Sequence, residues 1–154
     1  MVMVDDEDLA SLPAPVVSAR VEFDIVLNAE NWGTSGRPIN AHRLLIPWTH
    51  YGATWNCADD TDPGDSTPDC AATEWEMGSL NPSPYDPTPS GTLLITRELL
   101  GTVSIDVTAD VQAMVAGQVP NHGWIIRKTQ EGQAGRIEIG SSETGSGPRL
   151  VIQF

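Results

Sequence analysis

Residues 19–28, ARVEFDIVLN, have an apolar side chain at every second position. The apolar positions are Val21, Phe23, Ile25 and Leu27. A repeat of two places these side chains on one face of an extended chain, with Arg20 and Glu22 on the other. This stretch therefore predicts a β-strand with one buried face.

Shorter segments with strand character follow, separated by turns rich in glycine and proline. They are residues 39–46, 92–96, 102–107, 123–128, 136–140 and 149–154. In the last two strands the side chains expected to point toward the core are those of Ile137, Ile139, Leu150, Ile152 and Phe154. One short helix is predicted over residues 109–116, capped by Thr108 and ended by Gly117. About seven short strands and one helix predict an all-β fold, an antiparallel jelly-roll-like β-sandwich.

The chain of 154 residues has the size of one domain. Residues 1–17 are predicted to be an acidic, proline-containing N-terminal tail, and residues 18–154 a single β-sandwich domain. With 8 basic and 21 acidic residues the net charge is −13, which argues against a nucleic-acid partner. Apolar runs are too short to cross a bilayer, so no membrane insertion is expected.

A long loop over residues 48–91 contains both cysteines, Cys57 and Cys70. Twelve residues separate them, which is too wide for a redox pair of the C-x-x-C type. In an oxidising compartment they would close a disulfide contributing about 3 kcal/mol through loop-closure entropy. Two free thiols are the alternative.

Five carboxylates lie between the cysteines, at Asp59, Asp60, Asp62, Asp65 and Asp69. They repel one another unless they are solvated or neutralised. Calcium takes six to eight oxygen ligands, so the loop is a candidate calcium site. The spacing is not that of an EF-hand, and a solvated acidic loop is the alternative.

The five tryptophans divide into core and binding candidates. Trp124 lies in a predicted strand and is expected in the core, and Trp48 and Trp55 are expected to pack under the long loop. Trp32 and Trp75 have the most polar surroundings. They are therefore the candidates for an exposed indole face on which a sugar ring stacks.

Four segments in this order resemble the DNRLRE-type domain, a carbohydrate-binding-module-like β-sandwich of secreted prokaryotic proteins. They are Ser18-Ala-Arg-Val-Glu-Phe, Pro47-Trp-Thr-His-Tyr-Gly-Ala-Thr-Trp-Asn56, Ile105-Asp-Val-Thr108 with Val111, and Asn121-His-Gly-Trp-Ile-Ile-Arg-Lys128 leading to Ser141-Ser-Glu143 and Pro148-Arg-Leu-Val151. The resemblance covers residues 18–154, the C-terminal part of that domain. It implies a secreted, extracellular or cell-surface protein, and this context favours a Cys57–Cys70 disulfide.

Two departures from the family pattern stand out. The family's Ser-Arg-Glu is Ser141-Ser142-Glu143 here, and residues 1–17 do not match the family's opening segment. We therefore expect a sheet that lacks one or two opening strands. The apolar residues 1–4 are expected to pack as an added strand on their own sandwich or on a neighbouring copy.

The resemblance implies a non-catalytic carbohydrate-binding or adhesive module whose partner is a polysaccharide. The alternative is a structural subunit that completes its sheet with a strand from a neighbouring copy or domain. The chain contains no Gly-x-Ser-x-Gly, P-loop or Rossmann motif, so enzymatic activity is not expected.

Overall fold

The computed structural model describes residues 9, 12, 15–29, 31–54, 56–65, 67–71, 83–130, 132–141 and 145–154. This part of the chain contains seven strands and one well-defined helix. In chain order they are β1 (Ser18–Ala29), β2 (Arg37–Arg43), β3 (Gly91–Ile95), β4 (Gly101–Asp106), α1 (Thr108–Val115), β5 (Trp124–Lys128), β6 (Arg136–Ile139) and β7 (Arg149–Gln153). Each strand predicted from the sequence is present.

The strands form two antiparallel sheets. In the first sheet β1 pairs with β4 along one edge and with both β6 and β7 along the other. The second sheet has the order β3-β2-β5. The predicted all-β sandwich with one short helix is confirmed.

The main core lies between the two sheets. Phe23 and Ile25 of β1 are each 2% exposed, and they belong to one cluster with Ile39 of β2 and Trp124 of β5. The alternating pattern of β1 thus marks its buried face correctly up to Ile25. Beyond this residue a shift in the register with β6 interrupts the alternation.

The described residues of the predicted N-terminal tail pack on the domain. Leu9 and Val16 are buried in the main core. Gln112 Nε2 of α1 donates a hydrogen bond to Val16 O at 2.9 Å. Residues 1–4, predicted to add a strand, lie outside the described residues.

Two predictions made at the ends of elements are wrong. Thr108 does not cap α1 but is its first residue, and its hydroxyl exchanges hydrogen bonds with the backbone of Ala19 in β1. Asp106 Oδ1 instead accepts the Thr108 N–H at 3.0 Å. Phe154, predicted to face inward, is 54% exposed and lies one residue beyond the end of β7 at Gln153.

An ion-pair group on the first sheet leads to a pH-dependent prediction. The Glu22 carboxylate contacts Arg20 Nε at 2.7 Å and Arg149 Nη2 at 2.9 Å, which ties β1 to β7. These two hydrogen bonds hold the pKa of Glu22 below its ordinary value, and the bond from Arg20 has the larger effect. Ionised Glu22 therefore adds stability at neutral pH, and this contribution is lost as the pH falls through its lowered pKa.

We expect Glu22→Gln to lower the Tm slightly at pH 7 and to match the wild type in strongly acidic buffer. Thermal unfolding across the pH range measures both. Glu138→Gln is the matched control, because Glu138 pairs with Arg136 where both side chains are more than half exposed. A difference that persists at low pH would contradict the ion-pair explanation.

Candidate functional site

The outward face of the β3-β2-β5 sheet is divided into an apolar half and a polar half. On the apolar half Leu44 and Ile125 form a second cluster with Trp48 and Ala58, which come from the long loop. Trp48 Nε1 donates a hydrogen bond to His122 O at 2.8 Å. Trp48 therefore packs beneath the loop, as the sequence predicted, and the loop covers this half of the sheet.

The polar half of the face is an open groove, here called the outer groove. Its volume is about 550 Å³, within the range of small-ligand sites. It is lined by Asn40, His42, Ser83, Tyr85, Pro87, Arg127, Lys128 and Thr129. Strands β2 and β5 supply the floor, and the end of the long loop supplies one wall.

Tyr85 is the aromatic residue of this groove, and its neighbours hold it in place. An isolated β-bridge joins it to Leu44, at the end of β2. Arg127 donates a hydrogen bond to the Tyr85 hydroxyl, and its Cζ lies 4.8 Å from the centre of the ring. The His42 ring lies 5.1 Å from Tyr85, centre to centre. His42 is in turn fixed by a 2.8 Å contact between its Nδ1 and Asp86 O.

The floor of the outer groove carries polar side chains from neighbouring strands. Asn40 of β2 stands opposite Arg127 of β5. On the other side, Thr92 Oγ1 of β3 donates a hydrogen bond to Asn40 Oδ1 at 2.9 Å. Amide, guanidinium and hydroxyl groups are thus held in a row across three strands, a pattern of donors and acceptors suited to a ligand rich in hydroxyl groups.

A second cavity of about 400 Å³ adjoins the outer groove. It lies between the β1–β2 loop and the β5–β6 loop, and Lys128 and Thr129 line both concavities. Lys128 Nζ donates hydrogen bonds to Gln133 O at 2.6 Å and to Gly135 O at 3.1 Å, which orders the β5–β6 loop.

The prediction that Trp32 presents an exposed stacking face is wrong. Its side chain is fully buried and belongs to the main core. A side chain at position 135 would approach Trp32 Cδ2 to 2.7 Å, so Gly135, with φ +112°, is required beside it. Gly135, about a hundred residues away in the chain, packs against the Trp32 ring. This contact helps to bury a side chain that the polar neighbouring sequence had predicted to be exposed. Trp55 and Trp75, the latter being the other stacking candidate, lie outside the described residues.

The Cys57–Cys70 disulfide is present, with Cα atoms 5.2 Å apart. We call residues 57–70 the disulfide loop. An antiparallel bridge between Asp60 and Cys70 closes it further. The predicted pairing is therefore confirmed, and both cysteines are accounted for.

The structure gives the carboxylates of the disulfide loop different hydrogen-bond partners. Asp59 accepts a hydrogen bond from the Thr49 hydroxyl at 2.6 Å. Asp62 and Asp65 each accept the backbone N–H of the residue two positions ahead. No group of three or more histidine, cysteine or acidic side chains suited to a metal ion occurs among the described residues.

Asp60 and Asp69 are the two carboxyl groups that do meet. Hydrogen-bonding contact with Asp69, together with burial, raises the pKa of Asp60. The same contact, with the backbone N–H of Asp62, lowers the pKa of Asp69. The opposite directions of the two pKa shifts are those of two carboxyl groups that share one proton, held on Asp60.

No protein-family model, curated protein or solved structure matches the chain. The resemblance to the DNRLRE-type domain therefore stays a prediction from the sequence. In the described part of the chain, no helix combines the length and apolar character needed to cross a membrane.

Sequence reasoning missed the residues of the outer groove. Tyr85 and Arg127 are 42 positions apart, so no local motif joins them. The available signal was the alternation in β2 and β5, which places polar Asn40 and Arg127 on the face opposite Ile39 and Trp124. Two polar residues on the outward face of adjacent strands point to an open surface rather than a covered one.

Proposed function

We propose that this chain is a non-catalytic carbohydrate-binding or adhesive module whose glycan site is the outer groove. The observation that carries the proposal is the ordered Tyr85 beside Arg127 and Asn40 in an open groove on a sandwich face. The resemblance to the DNRLRE-type domain supports the same interpretation.

The chemistry of the groove suits a sugar. A pyranose ring presents apolar C–H groups that pack on an aromatic side chain, and hydroxyl groups that exchange hydrogen bonds with amide and guanidinium groups. Tyr85 supplies the first kind of contact, and Asn40 with Arg127 the second. A second cavity that shares Lys128 and Thr129 with the groove offers room for further sugar units, which favours an oligosaccharide or polysaccharide over a single sugar.

We also propose that the protein acts outside the cell or at its surface. The Cys57–Cys70 disulfide supports this, because structural disulfides persist in oxidising compartments and are rare in reducing ones. Polysaccharides are abundant in the same places, so the location and the ligand class agree.

The binding prediction is tested with a glycan array of neutral and uronic-acid polymers, followed by titration calorimetry on the strongest ligand. We expect Asn40→Ala to weaken binding about 2- to 12-fold through the loss of one hydrogen bond, and Tyr85→Ala to weaken it at least as much through the loss of the stacking ring. Asp24→Ala is the matched control. Asp24 accepts a hydrogen bond from Thr102 across the outward face of the other sheet, remote from the groove.

The control variant should bind like the wild type, and all variants should keep a cooperative thermal transition. An array without any ligand, or a ligand whose affinity is insensitive to Asn40 and Tyr85, would reject the outer groove as a glycan site. In the first case, a concentration-dependent oligomer on a sizing column would favour the alternative of an assembling structural subunit.

A further inference from the structure

We propose that the second cavity, between the β1–β2 and β5–β6 loops, is an anion-binding subsite in which Arg37 and Lys128 hold the ligand. It takes a negatively charged substituent of a sugar, either a sulfate ester or the carboxylate of a uronic acid. The inference rests on the proposed function for its ligand class, which it narrows from polysaccharides in general to acidic ones.

The charge of the second cavity is opposite to that of the chain. The protein has 21 acidic and 8 basic residues. Among the described residues that line the cavity, Arg37 and Lys128 are basic and none is acidic. The described lining of the outer groove likewise contains no carboxylate, and Arg127 adds a third cation there. Most of this acidic protein repels a polyanion, so a local group of cations is needed to hold one.

Strand register brings Arg37 and Lys128 to the same side of the second sheet. Lys128 of β5 stands opposite Ile39 of β2. Arg37 lies two residues before Ile39 in the same strand, so the two basic residues are diagonal neighbours on one face. Both are partly exposed. Long side chains reach across such a diagonal, which allows one anion to contact both.

Arg37 keeps part of its guanidinium group available to a ligand. Its Nη1 donates hydrogen bonds to Asn31 O at 3.0 Å and to Ala134 O, whereas Nε and Nη2 have no partner among the described residues. A Cβ atom built on Gly33 would lie 4.0 Å from Arg37 Nε, with no further atom of the surrounding structure within that distance. The Nε side therefore faces open space. Nε and Nη2 form an edge that holds two oxygen atoms of an anion at once.

Lys128 supplies a second positive charge that has neutral partners. Its Nζ donates hydrogen bonds to the carbonyl oxygens of Gln133 and Gly135, and lies 6.0 Å from the centre of the buried Trp32 ring. None of the ion pairs in the described part of the chain involves Lys128 or Arg37. The buried ring keeps water away from one side of the ammonium group, which strengthens its attraction for an anion.

The uncharged part of the cavity wall suits the rest of a sugar. Thr34, Gln130 and Gln133 line it with exposed hydroxyl and amide groups, which donate hydrogen bonds to sugar hydroxyls and accept them. The volume of about 400 Å³ is within the range of small-ligand sites. Lys128 and Thr129 also line the outer groove, so neighbouring sugar units can lie there.

The first test follows isotope-labelled protein by NMR during titration with glucose-6-sulfate, glucuronate or glucose. The buffer contains a chelator, so that no divalent cation bridges two acidic groups. We expect glucose-6-sulfate or glucuronate to shift the backbone signals of residues 33–37 and 128–130, and glucose to leave them unchanged. The acidic sugar with the larger effect identifies the substituent.

The second test compares affinities for matched polymers by titration calorimetry. The pairs are dextran sulfate with dextran, and polygalacturonate with its carboxyl-reduced form. We expect at least one charged polymer to bind about tenfold or more tightly than its neutral partner, because hydrogen bonds to charged groups are stronger than those between neutral groups.

Arg37→Gln should abolish the difference between the charged and the neutral polymer and leave the affinity for the neutral polymer unchanged. Arg149→Gln is the matched control, because it removes the same charge where Arg149 pairs with Glu22 on the first sheet. It should bind both polymers like the wild type.

Arg37→Lys separates binding from folding. This variant keeps a donor for the carbonyl oxygens of Asn31 and Ala134, so it should unfold at the same temperature as the wild type. It should nevertheless bind the charged polymer more weakly, because an ammonium group lacks the two-donor edge of guanidinium.

The outcomes distinguish this inference from the proposed function. Equal affinity for charged and neutral polymers, with a loss in Asn40→Ala, would overturn the anion subsite and leave the outer groove as the glycan site. Equal losses in Arg37→Gln and Arg149→Gln would also overturn it, because they would mean diffuse attraction to basic residues. If no polymer binds, shifts around Arg37 with an acidic monosaccharide would support the subsite without a polysaccharide, and their absence would reject both.

Discussion

Replacing Trp32 with alanine should lower the free energy of unfolding by about 3–5 kcal/mol, the usual cost of removing a buried tryptophan. Trp32 is fully buried in the main core. Its Nε1 has no hydrogen-bond partner among the described residues, so its contribution comes from packing alone. The cavity is expected to stay open, because Gly135 has no side chain with which to fill it.

Chemical denaturation of Trp32→Ala and of Tyr51→Ala provides the measurement and its control. Tyr51 is also aromatic but is 85% exposed, so its replacement should change stability by less than about 0.5 kcal/mol. A Trp32→Ala variant with wild-type stability and impaired glycan binding would restore the role that the sequence suggested for this residue.

Removal of the disulfide should cost about 3 kcal/mol, because Cys57 and Cys70 close a loop with a sequence separation of 13. We suggest Cys57→Ala with Cys70→Ala, since Cys57 is fully buried and a serine hydroxyl would be poorly accommodated there. Loosening the disulfide loop also weakens the cover that Ala58 gives to Leu44 and Ile125, so hydrogen exchange should increase in this part of the second sheet.

The reductant provides an internal control for this prediction. Wild type unfolded in the presence of dithiothreitol should match the double variant, and the double variant should be indifferent to the reagent. Equal stability of oxidised and reduced wild type would show that the loop is held by its packing and hydrogen bonds without the crosslink.

Strand positions could be predicted because alternation is local. The pattern in residues 19–28 predicted β1, which extends over Ser18–Ala29, and the turn residues bounded the shorter strands. The end of β2 was predicted less well. It stops at Arg43 rather than at Ile46, because Leu44 instead forms an isolated bridge with Tyr85 from the far end of the long loop.

The candidate sites were less predictable because they depend on contacts between distant segments. Thr108 has the residue type of a helix cap, yet its hydroxyl is engaged by Ala19 of β1. The sequence placed five carboxylates between the cysteines, but only the fold of the disulfide loop brings Asp60 and Asp69 together. Polarity of the neighbouring sequence was a poor guide to exposure at Trp32 for the same reason.

The sequence by itself determined the fold class and the strands, because side-chain alternation and turn residues leave few alternatives. It left a disulfide or two free thiols open at Cys57 and Cys70, and the structure shows the disulfide. Only the tertiary structure decided which side chains are buried, which carboxylates meet and which face of the second sheet stays open. Those outcomes depend on the register between β2 and β5 and on where the long loop lies, and both arise from contacts between residues far apart in the chain.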